Sequence, residues 1–147
     1  MKKYKRVLVT TDFSNVNKAA LARARDVSTE YHSDLILLHV IEHFPFDAGP
    51  LSSSIPAELK PEHAMIESAR KKLEALADEL RIGQSRRVVT VTPRSAQREI
   101  LRFAEAEGVD LIVLAPHEHG FLGTMGSTAV GVIHGATCDV LTVRDAH

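Results

Sequence analysis

The feature that most restricts what this chain can fold into is a repeated change of period. Short apolar runs alternate with stretches of helical spacing along the whole sequence. "YKRVLVT" (Tyr4–Thr10) is β-rich and ends in the turn-like "TDFSN". Ser14 then offers an N-cap for a helix through about Tyr31, with Val16, Ala19, Ala20, Arg23 and Val27 marking its inward stripe. "DLILLHVI" (Asp34–Ile41) is apolar almost without a break, as a parallel strand covered on both faces must be. Glu42–His63 carries four of the six prolines and three consecutive serines, and reads as one long mobile connection at about 42–62. Helical spacing returns from Pro61 to Leu80, with Met65, Ala69, Leu73, Leu76 and Leu80 on one face and Gly83 as the stop. "RRVVTVT" (Arg86–Thr92) is a strand, and the next helix runs from a Ser95 cap to Gly108. "DLIVLA" (Asp110–Ala115) is a fourth strand, a short helix starts near Ser127, and Asp139–Arg144 is the last strand.

Five strands alternating with four helices predict an α/β fold: one open five-stranded parallel sheet with helices on both faces. A length of 147 residues and 44% hydrophobic content suit a single domain, 1–147, with one core. A formal net charge of −1 gives no electrostatic footprint for nucleic acid or a membrane surface. The longest apolar runs are too short to span a bilayer, and the N-terminus lacks a signal peptide's apolar core, so a cytoplasmic location is expected. Cys138, the lone cysteine, excludes an internal disulfide and reads as a structural thiol at the entry to the last strand.

That last strand belongs at a sheet edge, and Asp139, Val140, Leu141, Thr142 and Val143 include no protective Pro or Lys. Pairing the strand across a two-fold axis would satisfy the edge, so a homodimer through Asp139–Arg144 is expected.

Ligands of open α/β sheets sit beyond the carboxyl ends of the strands. Thr10–Ser14, His39–Ile41, Pro93–Ser95 and Leu114–Thr128 should converge there. Asp12 suits a ribose hydroxyl or an adenine amino group, or else an Asx turn at the helix start. Gly120, Gly123, Gly126 and Ser127 make an anion site at a helix N-terminus or a turn needing positive φ. The spacing matches neither G-x-x-x-x-G-K-[ST] nor G-x-G-x-x-G. His39, His43, His117 and His119, with Glu118, have ligand types suited to zinc or nickel. Alternation along a short loop aims His117 and His119 apart, so no metal site is expected. No nucleophile elbow or phospho-receiver set assembles, and an enzyme is not expected.

"VLVTTDFS", "LILLHVI", "GVDLIVLAPH" and a "GS" one short helix before "CDVLTVR" together resemble the universal stress proteins over essentially the whole chain. The nucleotide-binding branch of that family carries G-x-x-G, nine residues, then G-[ST]. Gly126-Ser127 matches the second half. Ala115 stands in place of the first glycine, Glu118 stands near the second, and the segment is two residues shorter. Pro116 removes an N–H donor, and Glu118 brings negative charge toward a polyphosphate. "APHEHGFLGTMGS" is closer to the A-type branch, with its shortened loop. The resemblance therefore implies a non-catalytic, dimeric stress-response protein that needs no cofactor and holds ATP weakly or not at all. Thr10, Asp12, Val40, Gly126, Ser127 and Thr128 occupy or adjoin the positions that contact nucleotide in ATP-binding relatives. Two alternatives stand beside it. One is an ATP- or AMP-binding sensor resting on Asp12 and Gly126-Ser127. The other is a protein-interaction module using the 42–62 segment, with Phe44, Phe46, Leu51 and Ile55 as its apolar contacts.

Overall fold

The computed structural model describes residues 3–43, 54–116 and 126–145. Its strands are β1 (Arg6–Thr10), β2 (Asp34–Glu42), β3 (Arg86–Thr92), β4 (Leu111–Leu114) and β5 (Asp139–Thr142). Its helices are α1 (Asn17–Tyr31), α2 (Pro61–Glu79), α3 (Ala96–Ala106) and α4 (Ser127–Gly135). All neighbouring strands are parallel, in the order β3-β2-β1-β4-β5. The chain thus builds outward from β1 in one direction, then returns to β1's other side and builds the opposite way. The reversal falls between β1 and β4, which is where such sheets open a crevice.

Side chains alternate between two cores. Val7, Val9, Leu35, Leu37, Leu111 and Val113 meet α1 and α2 through Ala20, Leu21, Ala24, Leu73 and Ala77. Leu8, Ile36, Leu38, Ile112 and Leu114 meet α3 and α4 through Ile100, Phe103, Ala104, Ala129 and Val132. Both faces being covered is the physical reason that the strands read as unbroken apolar runs.

Three helices end in the same way. His32 (φ 55), Arg81 (φ 55) and Gly108 (φ 66) take the left-handed conformation. The next N–H in each case bonds five residues back: Ser33 to Ser28 at 2.8 Å, Ile82 to Ala77 at 2.8 Å, Val109 to Ala104 at 2.9 Å. Gly83, expected to stop α2, plays no such part; Arg81 does. Arg25 Nη1 donates to the Leu80 carbonyl at 2.6 Å, and Ile82 is buried, so packing holds a non-glycine residue at positive φ.

Other sequence expectations shift by small amounts for identifiable reasons. Ser14 is not the N-cap of α1. The helix begins at Asn17 after Val16, which supplies no side-chain cap, and the Ser14 Oγ is buried without a hydrogen-bond partner. The inward stripe of α1 is Asn17, Ala20, Leu21, Ala24 and Ser28, one residue out of phase with the expected set. Val16 is 37% exposed and Arg23 is exposed, because a helix lying close on a sheet favours small side chains beneath it. In α2 the buried residues are Ala69, Leu73 and Ala77, while Met65, Leu76 and Leu80 are half-buried. Ser95 caps α3 as expected, accepting from Arg98 N at 3.3 Å. Within the segment read as one long connection, Ala57–Leu59 form a 3-10 turn and Pro61 opens α2. Residues 44–53 of that segment, with Phe44, Phe46 and Leu51, lie outside the described residues.

β5 lies at the sheet edge but ends at Thr142, two residues earlier than expected. Val143 belongs to the α1/α2 core, 7% exposed, with its N–H on the Leu114 carbonyl at 2.9 Å, so its side chain is withdrawn from the edge. Tyr4 Oη donates to Asp139 Oδ2 at 2.8 Å and ties the start of β5 to the N-terminal segment. That bond favours the neutral phenol and raises the Tyr4 pKa above its usual value. No helix among the described residues is long and apolar enough to cross a membrane.

Candidate functional site

A cleft of about 370 Å³ opens at the carboxyl edge of β1, β2 and β4, at the point where strand order reverses. It falls near the lower end of the roughly 300–1,000 Å³ usual for small-molecule sites. Thr10, Asp12, Val40, Gly126, Ser127 and Thr128, the six residues singled out from the sequence, all line it. Of the segments expected to converge, the one after β3 arrives differently: Ala96 and Ile100 of α3 reach the cleft, and Pro93–Ser95 do not.

The floor is the turn after β1, and hydrogen bonds fix it residue by residue. Thr11, buried, accepts from Phe13 N on its Oγ1 at 3.0 Å. Asp12 N donates to Asn17 Oδ1 at 2.6 Å, and Asp12 Oδ1 accepts from Ser14 N at 2.9 Å. Asp12 therefore makes the Asx turn and also lines the cleft; the two roles are compatible. Phe13 sits at φ 68, a conformation that is costly for a bulky residue. Its ring packs on His39 with centroids 4.2 Å apart, and the Lys72 ammonium stands 5.8 Å from the ring centre. His39 Nδ1 lies 2.7 Å from the Thr11 carbonyl, so this nitrogen carries the proton that bonds it. The effect of the network is to hold Asp12 at the rim.

Asn17 was not anticipated from the sequence. It is 6% exposed, lines the cleft, and supplies the partner for Asp12 N. The signal available was a polar residue on what proves to be the buried stripe of α1. Glu42 was also missed. It ends β2, lines the cleft, and its Oε1 accepts from Ala96 N at 3.2 Å at the start of α3.

Two helix N-termini thus face the cleft, with different occupancy. The start of α3 is capped twice, by Ser95 and by Glu42. The start of α4 has Gly126 as N-cap and no side-chain cap. Its first N–H groups and the helix dipole offer an anion subsite. No Lys or Arg lines the cleft among the described residues, and Asp12 and Glu42 both do.

The histidines separate. His39 is held by Thr11, while His43 Nε2 stands 3.6 Å from Glu62 Oε1. Among the described residues no three of His, Cys, Asp or Glu group as metal ligands. His117, Glu118, His119, Gly120 and Gly123 lie outside the described residues. Cys138 is half-buried and packs against the α3/α4 core.

Comparison with known proteins gives a consistent result. The model of the universal stress protein family matches residues 3–144. Universal stress protein A homolog 2 of Coxiella burnetii is 34% identical over 146 residues, covering 98% of this chain and 97% of its own. The solved structure of MJ0577, which is named a universal stress protein of Methanocaldococcus jannaschii, is similar with a TM-score of 0.77. It shares 29% identity over 99% of each chain. A universal stress protein from Archaeoglobus fulgidus, solved in complex with dAMP, shares the fold at a TM-score of 0.68 and 17% identity, over 97% of this chain and 100% of its own.

Proposed function

This chain belongs to the universal stress protein family, and from that premise we propose that it acts in stress resistance by binding and not by catalysis. In this reading it is a single-domain homodimer whose carboxyl-edge cleft takes an adenine mononucleotide. The observation that carries it is the convergence of Thr10, Asp12, Val40 and Gly126–Thr128 on one cleft with an uncapped helix N-terminus at its side. A nucleotide of the same class, dAMP, is bound by the Archaeoglobus fulgidus relative of this fold.

The electrostatics favour one phosphate over three. A helix N-terminus contributes about half a positive charge, enough to balance part of a monophosphate. A polyphosphate needs fixed cations or a metal, and the described lining supplies neither Lys nor Arg while adding two carboxylates. His39 also lines the cleft, with its Nδ1 donating to the Thr11 carbonyl at 2.7 Å. Asn17 Oδ1 accepts from Asp12 N at 2.6 Å and so ties the turn that carries Asp12 to the start of α1.

Thermal unfolding with added nucleotide tests the reading. At a ligand concentration 100 times its dissociation constant, stability rises by about 2.7 kcal/mol, which for a chain of this size raises Tm by roughly 5–10 °C. Millimolar AMP is expected to raise Tm, and ATP at equal concentration to raise it less. A Tm that AMP leaves unmoved overturns the nucleotide reading.

A further inference from the structure

We propose that Glu42 sets the base specificity of the cleft, selecting nucleotides whose base presents an exocyclic amino group and rejecting those that present a carbonyl there. The inference rests on the nucleotide reading above and adds a residue and a selection rule to it.

The argument begins with the two helix N-termini. Each is an anion subsite in its own right, but Glu42 occupies the start of α3 with its own carboxylate. An incoming phosphate is therefore left with the start of α4, at Gly126 and Ser127. This fixes which way round a nucleotide lies. The phosphate goes to the side of β4, from which α4 follows, and the remainder extends over β1 toward β2. β2 and β4 flank β1, so they are two strand spacings apart, about 9.6 Å. Asp12, at the end of the middle strand, meets the middle of the ligand. Glu42, at the end of β2, meets the part furthest from the phosphate, which in a nucleotide is the base.

A carboxylate there accepts hydrogen bonds and donates none. The Glu42 Oε1 is engaged by Ala96 N, and Oε2 has no hydrogen bond among the described residues. An amino group on the base finds an acceptor already held in position by the α3 backbone. A carbonyl at the same place meets a second set of lone pairs and a negative charge.

The test compares AMP with inosine monophosphate, which carries a carbonyl where adenine carries its amino group and an N1–H where adenine has a bare ring nitrogen. Binding of each is measured by calorimetry to the wild-type protein and to Glu42→Gln. The glutamine keeps a carbonyl oxygen for Ala96 N and adds an N–H that can serve the inosine carbonyl. The wild type is expected to bind AMP at least about tenfold more tightly, the discrimination a charge-assisted hydrogen bond gives at a partly exposed site. In Glu42→Gln the ratio is expected to fall to threefold or less, in a protein that stays folded with Tm lowered by no more than about 4 °C, since a carboxylate at a helix N-terminus contributes about 0.3–1 kcal/mol. Equal binding of the two nucleotides by the wild type, or an undiminished ratio in Glu42→Gln, overturns the role of Glu42 and leaves the nucleotide reading standing. Failure of the wild type to bind either nucleotide at millimolar concentration overturns both.

Discussion

At the scale of single residues, the cleft is organised by the turn after β1, whose backbone N–H groups bond to side chains of the turn itself and of Asn17. Asp12 N, Phe13 N and Ser14 N each have a side-chain acceptor, from Asn17, Thr11 and Asp12 respectively. Phe13 stays at φ 68 because its neighbours are pinned and its ring is packed on His39. Asn17 is the member whose loss is easiest to read. Asn17→Ala removes the acceptor for Asp12 N and leaves a part-buried donor unpaired, at a cost of about 1–3 kcal/mol. Alanine's better helix propensity returns about half a kcal/mol. Urea unfolding is expected to show a net loss of about 1–2 kcal/mol, and AMP binding is expected to weaken with it, since Asp12 loses its support. An unchanged midpoint would mean that the turn does not depend on this bond. Asp12 was legible in the sequence and Asn17 was not, for a physical reason. An aspartate after a strand is visible as a pattern, whereas a hydrogen bond from residue 17 back to residue 12 exists only once α1 has started at the right place.

At the scale of elements, the position of the anion end depends on how closely α4 approaches α3. Gly131 and Gly135 lie one turn apart on the contacting side of α4. A Cβ at Gly131 would stand 2.0 Å from Gln97 Cδ, and one at Gly135 would stand 2.6 Å from Leu101 Cδ1. Both neighbours are ends of flexible side chains, so the helices are held close by glycine yet the contact can adapt. A substitution cycle separates these effects. Gly131→Val, branched and unable to yield, is expected to cost about 1–3 kcal/mol through overpacking. With Gln97→Ala in place, Gly131→Ala is expected to stabilise by roughly 0.5–1 kcal/mol, because the obstruction is gone and alanine is the better helix former. The same Gly131→Ala in the wild-type background should gain less, since Gln97 must move. Equal effects in the two backgrounds, measured by urea unfolding, would show that Gln97 does not restrict the approach. The helices themselves were evident in the sequence from their spacing, and α3 also from its Ser95 cap and Gly108 stop. The phase of α1 was not, because Val16 and Val27 outweigh alanines on a hydrophobicity scale while the sheet beneath selects for small size.

At the scale of the whole molecule, the open edge at β5 is the feature that most needs a partner. Val140 and Leu141 are half-buried there, and on α4 Val130 and Ile133 are 39% and 41% exposed. Val143 N bonds inward to Leu114, and donors alternate in direction along a strand, so Thr142 N points away from the sheet. Two-fold pairing of β5 with its copy would be antiparallel and would use that donor. Sedimentation at micromolar concentration is expected to show a dimer. Thr142→Pro removes the outward N–H without touching the β4 ladder, and is expected to give a folded monomer. A monomeric wild type would overturn the dimer, and a dimeric Thr142→Pro would move it to another surface.

The sequence by itself determined the fold class, the family and the order of elements. The fold class and the order follow from the period of apolar residues, a local property that survives without coordinates, and the family from motifs such as "VLVTTDFS" and "GVDLIVLAPH" that resemble its members. It also marked out residues at strand ends, because a parallel sheet has only one edge at which ligands can collect. Only the tertiary structure decided that Glu42 closes one helix N-terminus while the other stays uncapped, that Asn17 braces Asp12, and that Val143 turns inward from the edge. Each depends on contacts between segments distant in the chain or on the phase at which a helix begins. Hydrophobic patterning fixes which faces are buried, but it leaves open which polar atoms then meet.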